Sequence, residues 1–232
     1  MFSSFHRKFR RFELKAPRSP APMSDPHPKL PRMDSPHTSI LQWRGDSGIA
    51  RRAMSGIGIL TGDESPWCHV NIEEALILGS LHIIERHDTE MGALLKSWFS
   101  MHHERVISRR LETLVKAERN AALFKLWGEL ALLGHTHPRN RFDRLSRPKS
   151  PAPAKVRVPQ SMNVMSSREL AGHHLGYFYR VLLGASARAD AFAALRLASD
   201  LTPAQIARVV HCSASTAWQA RRDFDLTRQQ DW

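Results

Sequence analysis

Apolar positions along the chain recur three and four residues apart rather than alternating, and from about residue 71 onward this spacing predicts helices. Asn71 stands where it can cap a first helix, with Glu73 and Glu74 in the opening turn, where a helix dipole favours acids. Ala75, Leu76, Leu78, Ile83 and Ile84 supply its apolar stripe. Three more amphipathic segments follow at about 90–101, 106–116 and 119–133. Their stripes are Leu94, Leu95, Trp98 and Phe99, then Leu111, Leu114 and Val115, then Leu123, Leu126, Trp127, Leu130 and Leu133. Short connections predict antiparallel neighbours, either a small bundle or a pair of helical-repeat units. The charged residues between the stripes read as a solvated face. Ser166 or Ser167 can cap a further helix, SRELAGHHLGYFYRVLL, which turns Leu170, Leu175, Phe178, Val181 and Leu182 to a core and stops at Gly184. Ser186 begins another over 187–199.

The last segment, LTPAQIARVVHCSASTAWQARRDFD, is the most informative. Thr202 and Pro203 mark the start of a short helix running to Val210, since proline at the first helical position sacrifices no hydrogen bond. His211 and Cys212 make a turn, and Ser213 can cap a second helix to about Phe224. Ala217, Ala220, Arg221 and Phe224 share one side of it, while Ser215, Gln219 and Arg222 share the other at i, i+4, i+7 spacing. Two short helices with a hydrogen-bonding outer face are what a helix-turn-helix needs to place side chains in a major groove. The plainer alternative is an αα-hairpin whose polar face is merely wet. The expected fold is therefore all-α: an N-terminal helical bundle followed by a C-terminal trihelical helix-turn-helix unit.

Composition adds the remaining segments. Residues 1–38 are rich in Pro, Ser and basic side chains and predict a disordered basic tail; its start, MFSSFHRKFRRF, also has the look of a transit or interfacial segment, and Met23 and Met33 offer later starts. Residues 39–66 read as a connector, 67–137 as the bundle, 138–162 as a basic proline-rich linker and 163–232 as the DNA-binding domain. That linker carries seven Lys or Arg (139, 141, 144, 147, 149, 155 and 157) against Asp143 alone, so it is either a phosphate-attracting tether or a solvated spacer. The formal charge of +12 over 232 residues favours a polyanionic partner. Cys68 and Cys212 form no close pair, which fits a reducing, cytoplasmic setting. The apolar run over 75–84 is interrupted by Gly79, Ser80 and His82 and is too short to span a bilayer, so no membrane association is expected.

Several short patterns suggest chemistry that their surroundings do not support. Gly45-Asp46-Ser47-Gly48 resembles a serine-protease nucleophile strand, but that fold needs many strands and a separately placed His and Asp. Gly56-Ile57-Gly58-Ile59-Leu60-Thr61-Gly62 lacks both Rossmann spacing and a following Lys-Ser/Thr, and reads as a flexible connector. His102-His103-Glu104 and His135-x-His137 do not have metal-ligand spacing, and 13 histidines make chance clusters expected. No metal or other cofactor is expected, and no nucleophile–base pair or carboxylate cluster suggests an enzyme such as a nuclease.

The run Gly184-Ala185-Ser186-Ala187-Arg188-Ala189-Asp190, with Ala194-Leu195, Ile206-Ala207 and Ser213, Ser215 and Thr216 after it, resembles a bacterial winged-helix regulator family: antitoxin-type transcriptional regulators encoded beside small nucleotidyltransferases. The resemblance covers roughly residues 180–224. It implies DNA-binding transcription regulation and, as a partner, a nucleotidyltransferase-type toxin. A wing would follow the recognition helix, yet only DLTRQQDW follows Phe224, too short for a strand pair, so the wing is expected to be absent or cut off.

The expectation is a cytoplasmic regulator that binds double-stranded DNA with the helix 213–224. Gln219 would pair with adenine and Arg222 with guanine. Ser213, Ser215 and Thr216 would seat the helix N-terminus on phosphate or a base edge, and Arg221 would reach the backbone. Trp218 has two readings, packing on the preceding helix or lying on a DNA sugar, and packing is the expectation. One module of this kind needs a second copy for useful affinity, so a homodimer through the upstream helices is expected. The competing reading is a helical antitoxin or adaptor that grips a protein through residues 71–134, its charge incidental.

Overall fold

The computed structural model describes residues 46–62, 69–133, 142, 144–145 and 161–228. Ten α-helices account for most of them: α1 (Ser47–Gly56), α2 (Ile72–Arg86), α3 (Thr89–His102), α4 (Ser108–Ala117), α5 (Ala121–Leu133), α6 (Ser167–His173), α7 (Leu175–Leu183), α8 (Ala187–Leu197), α9 (Pro203–Val210) and α10 (Ala214–Arg228). Among the described residues no β-strand forms, and Ile59 and Val164 make one isolated antiparallel bridge. The protein is all-α.

Helix α2 is the axis of the first core. From Ile72 to His82 every residue is buried, as a helix enclosed on all sides must be, and α1, α3, α4 and α5 pack around it. Gly79 makes the closest crossing possible, because a Cβ there would collide with the Met54 side chain of α1. Trp98 of α3 donates its indole N–H to the Ile57 carbonyl at 2.7 Å, and Phe99 meets Trp127 and Phe142 edge to face. The stretch 39–66, expected as a connector, thus contributes a helix: Asp46 caps α1 through the Gly48 and Ile49 amides, and Ile49, Ala50, Ala53 and Met54 are buried. The expected linker likewise places Phe142 and Leu145 in this core.

A second core lies within α8, α9 and α10, built from Ala191, Phe192, Leu195, Leu201, Ile206, Val210, Ala217, Ala220 and Phe224. The predicted trihelical unit is there. Its boundary is not at residue 163, however, because Leu170 of α6 and Tyr177 of α7 are buried in the first core. Helix α7 packs closely on α8, and Tyr179 touches the second core. Bundle and head belong to one compact unit rather than two domains on a linker.

The expected single helix over 167–183 is two. His174 adopts φ −116° and ψ 108°, ending α6 and capping α7 with its own ring. Its Nδ1 accepts the Tyr177 amide at 3.0 Å while its Nε2 donates to the Val70 carbonyl at 2.9 Å. The break resets the helical phase. Tyr177 and Arg180 become the buried residues of α7, while Phe178, Val181 and Leu182, expected in the core, are exposed at 39%, 40% and 61%.

Tyr177 also faces His102, whose Nδ1 lies 2.8 Å from the phenolic oxygen and whose Nε2 lies 3.0 Å from the Met165 carbonyl. Burial drives the pKa of both His102 and His174 down to about 4, against the hydrogen bonds to Met165 and Val70 that favour charge. Each ring accepts at Nδ1, so a second proton would destroy a bond as well as place charge in the core. Between about pH 6.5 and 4 the unfolded chain binds these protons and the folded chain does not, so stability falls as pH falls through that window. Urea melts at pH 7 and pH 4.5 should differ by several kcal/mol, on the order of 3 kcal/mol per histidine at most. His102→Gln, which stays uncharged, should flatten the pH dependence by about half.

Candidate nucleic-acid interface

Local sequence fixes the geometry of the C-terminal head, α8–α10. Thr202 and Gln205 form a reciprocal capping box in front of Pro203, so α9 starts where predicted. The helix ends at His211, whose left-handed backbone, φ 50°, turns the chain. Ser213 Oγ then accepts the Thr216 amide at 3.1 Å and lies 2.9 Å from the Thr216 hydroxyl, which opens α10. Helix α10 inserts Ala217, Ala220 and Phe224 between α8 and α9. Phe224 meets Phe192 at 5.7 Å, near edge to face.

The head is mounted on the bundle by ions. Arg180 is 1% exposed and uses all five of its N–H donors. Two go to Asp190 of α8, at 2.7 and 2.8 Å; two go to Glu73 of α2, at 2.7 and 2.9 Å; one goes to the Arg105 carbonyl at 3.0 Å. Arg110 of α4 also contacts Asp190, at 2.5 Å, and donates to the Val210 carbonyl at 2.6 Å, neutralising the C-terminal end of α9. Beside it, His211 Nε2 lies 3.6 Å from Glu74. Burial would raise the Asp190 carboxyl, but Arg180 and then Arg110 hold it below the usual carboxylate range. Burial opposes the Arg180 charge, and Asp190 and Glu73 reverse that and keep it protonated. Glu73 and Glu74, expected as partners of the helix dipole, are both buried, and Glu73 accepts from Arg180 and from the Ile107 amide.

Of the six residues proposed to meet DNA, the outward group is Ser215, Gln219 and Arg222, all exposed, with Thr216 half-buried beside them. The Ser213 hydroxyl is exposed and also serves the cap. Arg221 does not face outward as a backbone contact. It donates to the Ser199 and Leu201 carbonyls at 2.7 and 3.0 Å and pairs with Asp225 at 2.9 Å, which ties α10 to the loop before α9. Trp218, expected to pack inward, is 55% exposed and lies under the Arg222 guanidinium, 5.5 Å from ring centre to carbon. Its position was readable: 218 falls between 215 and 222 on the same helical face, and only the burial preference of tryptophan argued otherwise. The remaining acids of α10 are engaged: Asp223 pairs with Arg188 at 2.8 Å and Asp225 with Arg221. Arg222 also lies 3.5 Å from Asp223.

Among the described residues no group of three or more His, Cys, Asp or Glu could hold a metal, and His135 and His137 fall outside them. No helix of the described residues is long and apolar enough to cross a membrane. Comparison with protein-family models, with curated proteins and with solved structures returned no match. The class established is an all-α protein in which the trihelical unit α8–α10 is ion-paired to a helical bundle.

Arg221→Ala should act on stability, not on the outward face. Losing two backbone acceptors and the Asp225 pair is expected to cost about 1–3 kcal/mol in urea unfolding.

Proposed function

We propose that the protein is a sequence-specific double-stranded-DNA-binding transcriptional regulator that places α10 in the major groove. The observation that carries the reading is the outer face of α10, where Ser215, Gln219 and Arg222 stand exposed together while Asp225 is held by Arg221 and Asp223 chiefly by Arg188. Gln219 has the donor–acceptor pair that matches adenine, and Arg222 the fork that matches guanine. Ser213 and Thr216 sit at the helix N-terminus, where amides and hydroxyls suit a phosphate. The chain charge of +12 supplies the non-specific attraction that precedes readout. The resemblance over residues 180–224 points the same way.

The test uses the full chain, because Leu170 of α6 and Tyr177 of α7 are buried in the bundle core and a fragment beginning at 163 would strip them of it. Binding to duplex DNA should weaken steeply with salt. Arg222→Ala should cost about 1–3 kcal/mol at one base position and relax preference there. A uniform loss over all sequences would instead make Arg222 a backbone contact.

A helix-turn-helix reads half a site, so we assign a second copy to the exposed row Phe178, Val181 and Leu182 on α7. The same row favours the second reading, an adaptor that holds a partner protein such as a nucleotidyltransferase-type toxin without reading DNA. Leu182→Glu should convert a dimer to a monomer in sedimentation equilibrium. A wild-type chain that sediments as a monomer removes the homodimer and leaves the row to a different protein.

A further inference from the structure

We propose that Trp218 is itself a base-contacting residue, and that with Arg222 it reads a thymine beside a guanine. The inference rests on the DNA-binding reading above and names the part of the site that reading lacked.

Tryptophan is highly buried on average, and here it is more than half exposed in the middle of α10. It lies on the arc that carries Ser215, Gln219 and Arg222, four residues before the arginine. The Arg222 guanidinium stands over its ring at 5.5 Å. That contact restrains a long side chain in one direction, so less freedom is lost when the fork meets a guanine edge. Arg222 thereby gains a rest, and the indole keeps its other exposed surface for a ligand.

Charge selects the ligand. A protein partner for an exposed Trp–Arg pair would be expected to offer or receive acids at the rim. Here Asp225 is turned to Arg221, Asp223 is shared between Arg188 at 2.8 Å and Arg222 at 3.5 Å, and the outer arc presents hydroxyl, amide, indole and guanidinium. That set matches a major groove, where acceptors predominate on guanine and the only apolar projection is the thymine 5-methyl group. Side chains at i and i+4 lie about 6 Å apart, the span of neighbouring or next-neighbouring base pairs. The indole therefore meets a methyl while the guanidinium meets guanine.

The experiment starts from a duplex enriched by the full-length protein from a random library. Each thymine is then replaced singly by deoxyuridine, which lacks only the methyl. One replacement next to the guanine read by Arg222 should weaken wild-type binding about fourfold, the effect of leaving one methyl unburied. Trp218→Ala should bind the parent duplex more weakly and show no difference between thymine and uracil at that position. Trp218→Phe should retain part of the difference. The residue is exposed, so these variants should melt like the wild type.

A Trp218→Ala protein that binds and still distinguishes thymine from uracil overturns the inference while leaving DNA binding intact. So does one that loses self-association or partner binding instead, which would make the arc a protein interface. If wild-type protein enriches no duplex and binds none at low salt, the DNA-binding reading itself fails, and the inference with it.

Discussion

The Arg180 guanidinium is the point on which the two halves of this protein meet. It is enclosed among α2, α7 and α8, with both carboxylates in bidentate contact and its last proton on the Arg105 carbonyl. Such a site contributes little net stability compared with a well-packed apolar replacement, since desolvating three charged groups offsets most of the attraction. What it contributes is direction. A planar fork with five donors satisfies two carboxylates in one relative placement only, and removing any one partner would leave a buried charge exposed to the full desolvation penalty, about 3–5 kcal/mol. Arg110 extends the same constraint from Asp190 to the end of α9.

The consequence for the head is that its turn is held from behind. Val210 O is bonded to Arg110 and His211 lies against Glu74, so the junction between α9 and α10 is fixed relative to the bundle. Arg221 and Arg188 fix α10 from its inner side. Asp225 is compensated by Arg221, and Asp223 by Arg188, with Arg222 3.5 Å away. The outward face is left with hydrogen-bonding groups and an aromatic ring.

Much of this was legible. The caps Asn71, Ser166, Ser186, Thr202 and Ser213 and the Pro203 start mark helix beginnings where the structure has them, because capping depends on residues within one turn. The stripes of α3, α4 and α5 also follow from spacing alone. Three things were hidden. Helix α1 lies in a glycine-containing stretch whose apolar residues bury only because α2 runs alongside. The break at His174 depends on a carbonyl 104 residues away, and one non-helical residue moved the buried face from Phe178 and Val181 to Tyr177 and Arg180. The Arg180 site joins residues up to 107 positions apart, and no local pattern separates a buried arginine from a solvated one.

The residues that suggested a family turn out to be those that mount the head. Gly184 has φ 79° at the end of α7, Ser186 caps α8, Arg188 holds Asp223, Ala189 is buried, and Asp190 receives Arg180 and Arg110. Ile206 is in the second core, and Ser213 caps α10. Of that motif Arg188, Ser213 and Ser215 are exposed and Thr216 is half-buried, and Arg188 and Ser213 are also tied to Asp223 and to the α10 cap. Trp218, Gln219 and Arg222 lie beyond it or between its fixed positions. A pattern composed of caps, core residues and ion pairs describes how a trihelical head is held, and a protein could share all of it while presenting a different outer face. The arc of Ser215, Trp218, Gln219 and Arg222 is exposed, so packing imposes no residue there, and under the proposed DNA-binding function any base preference would reside in that arc.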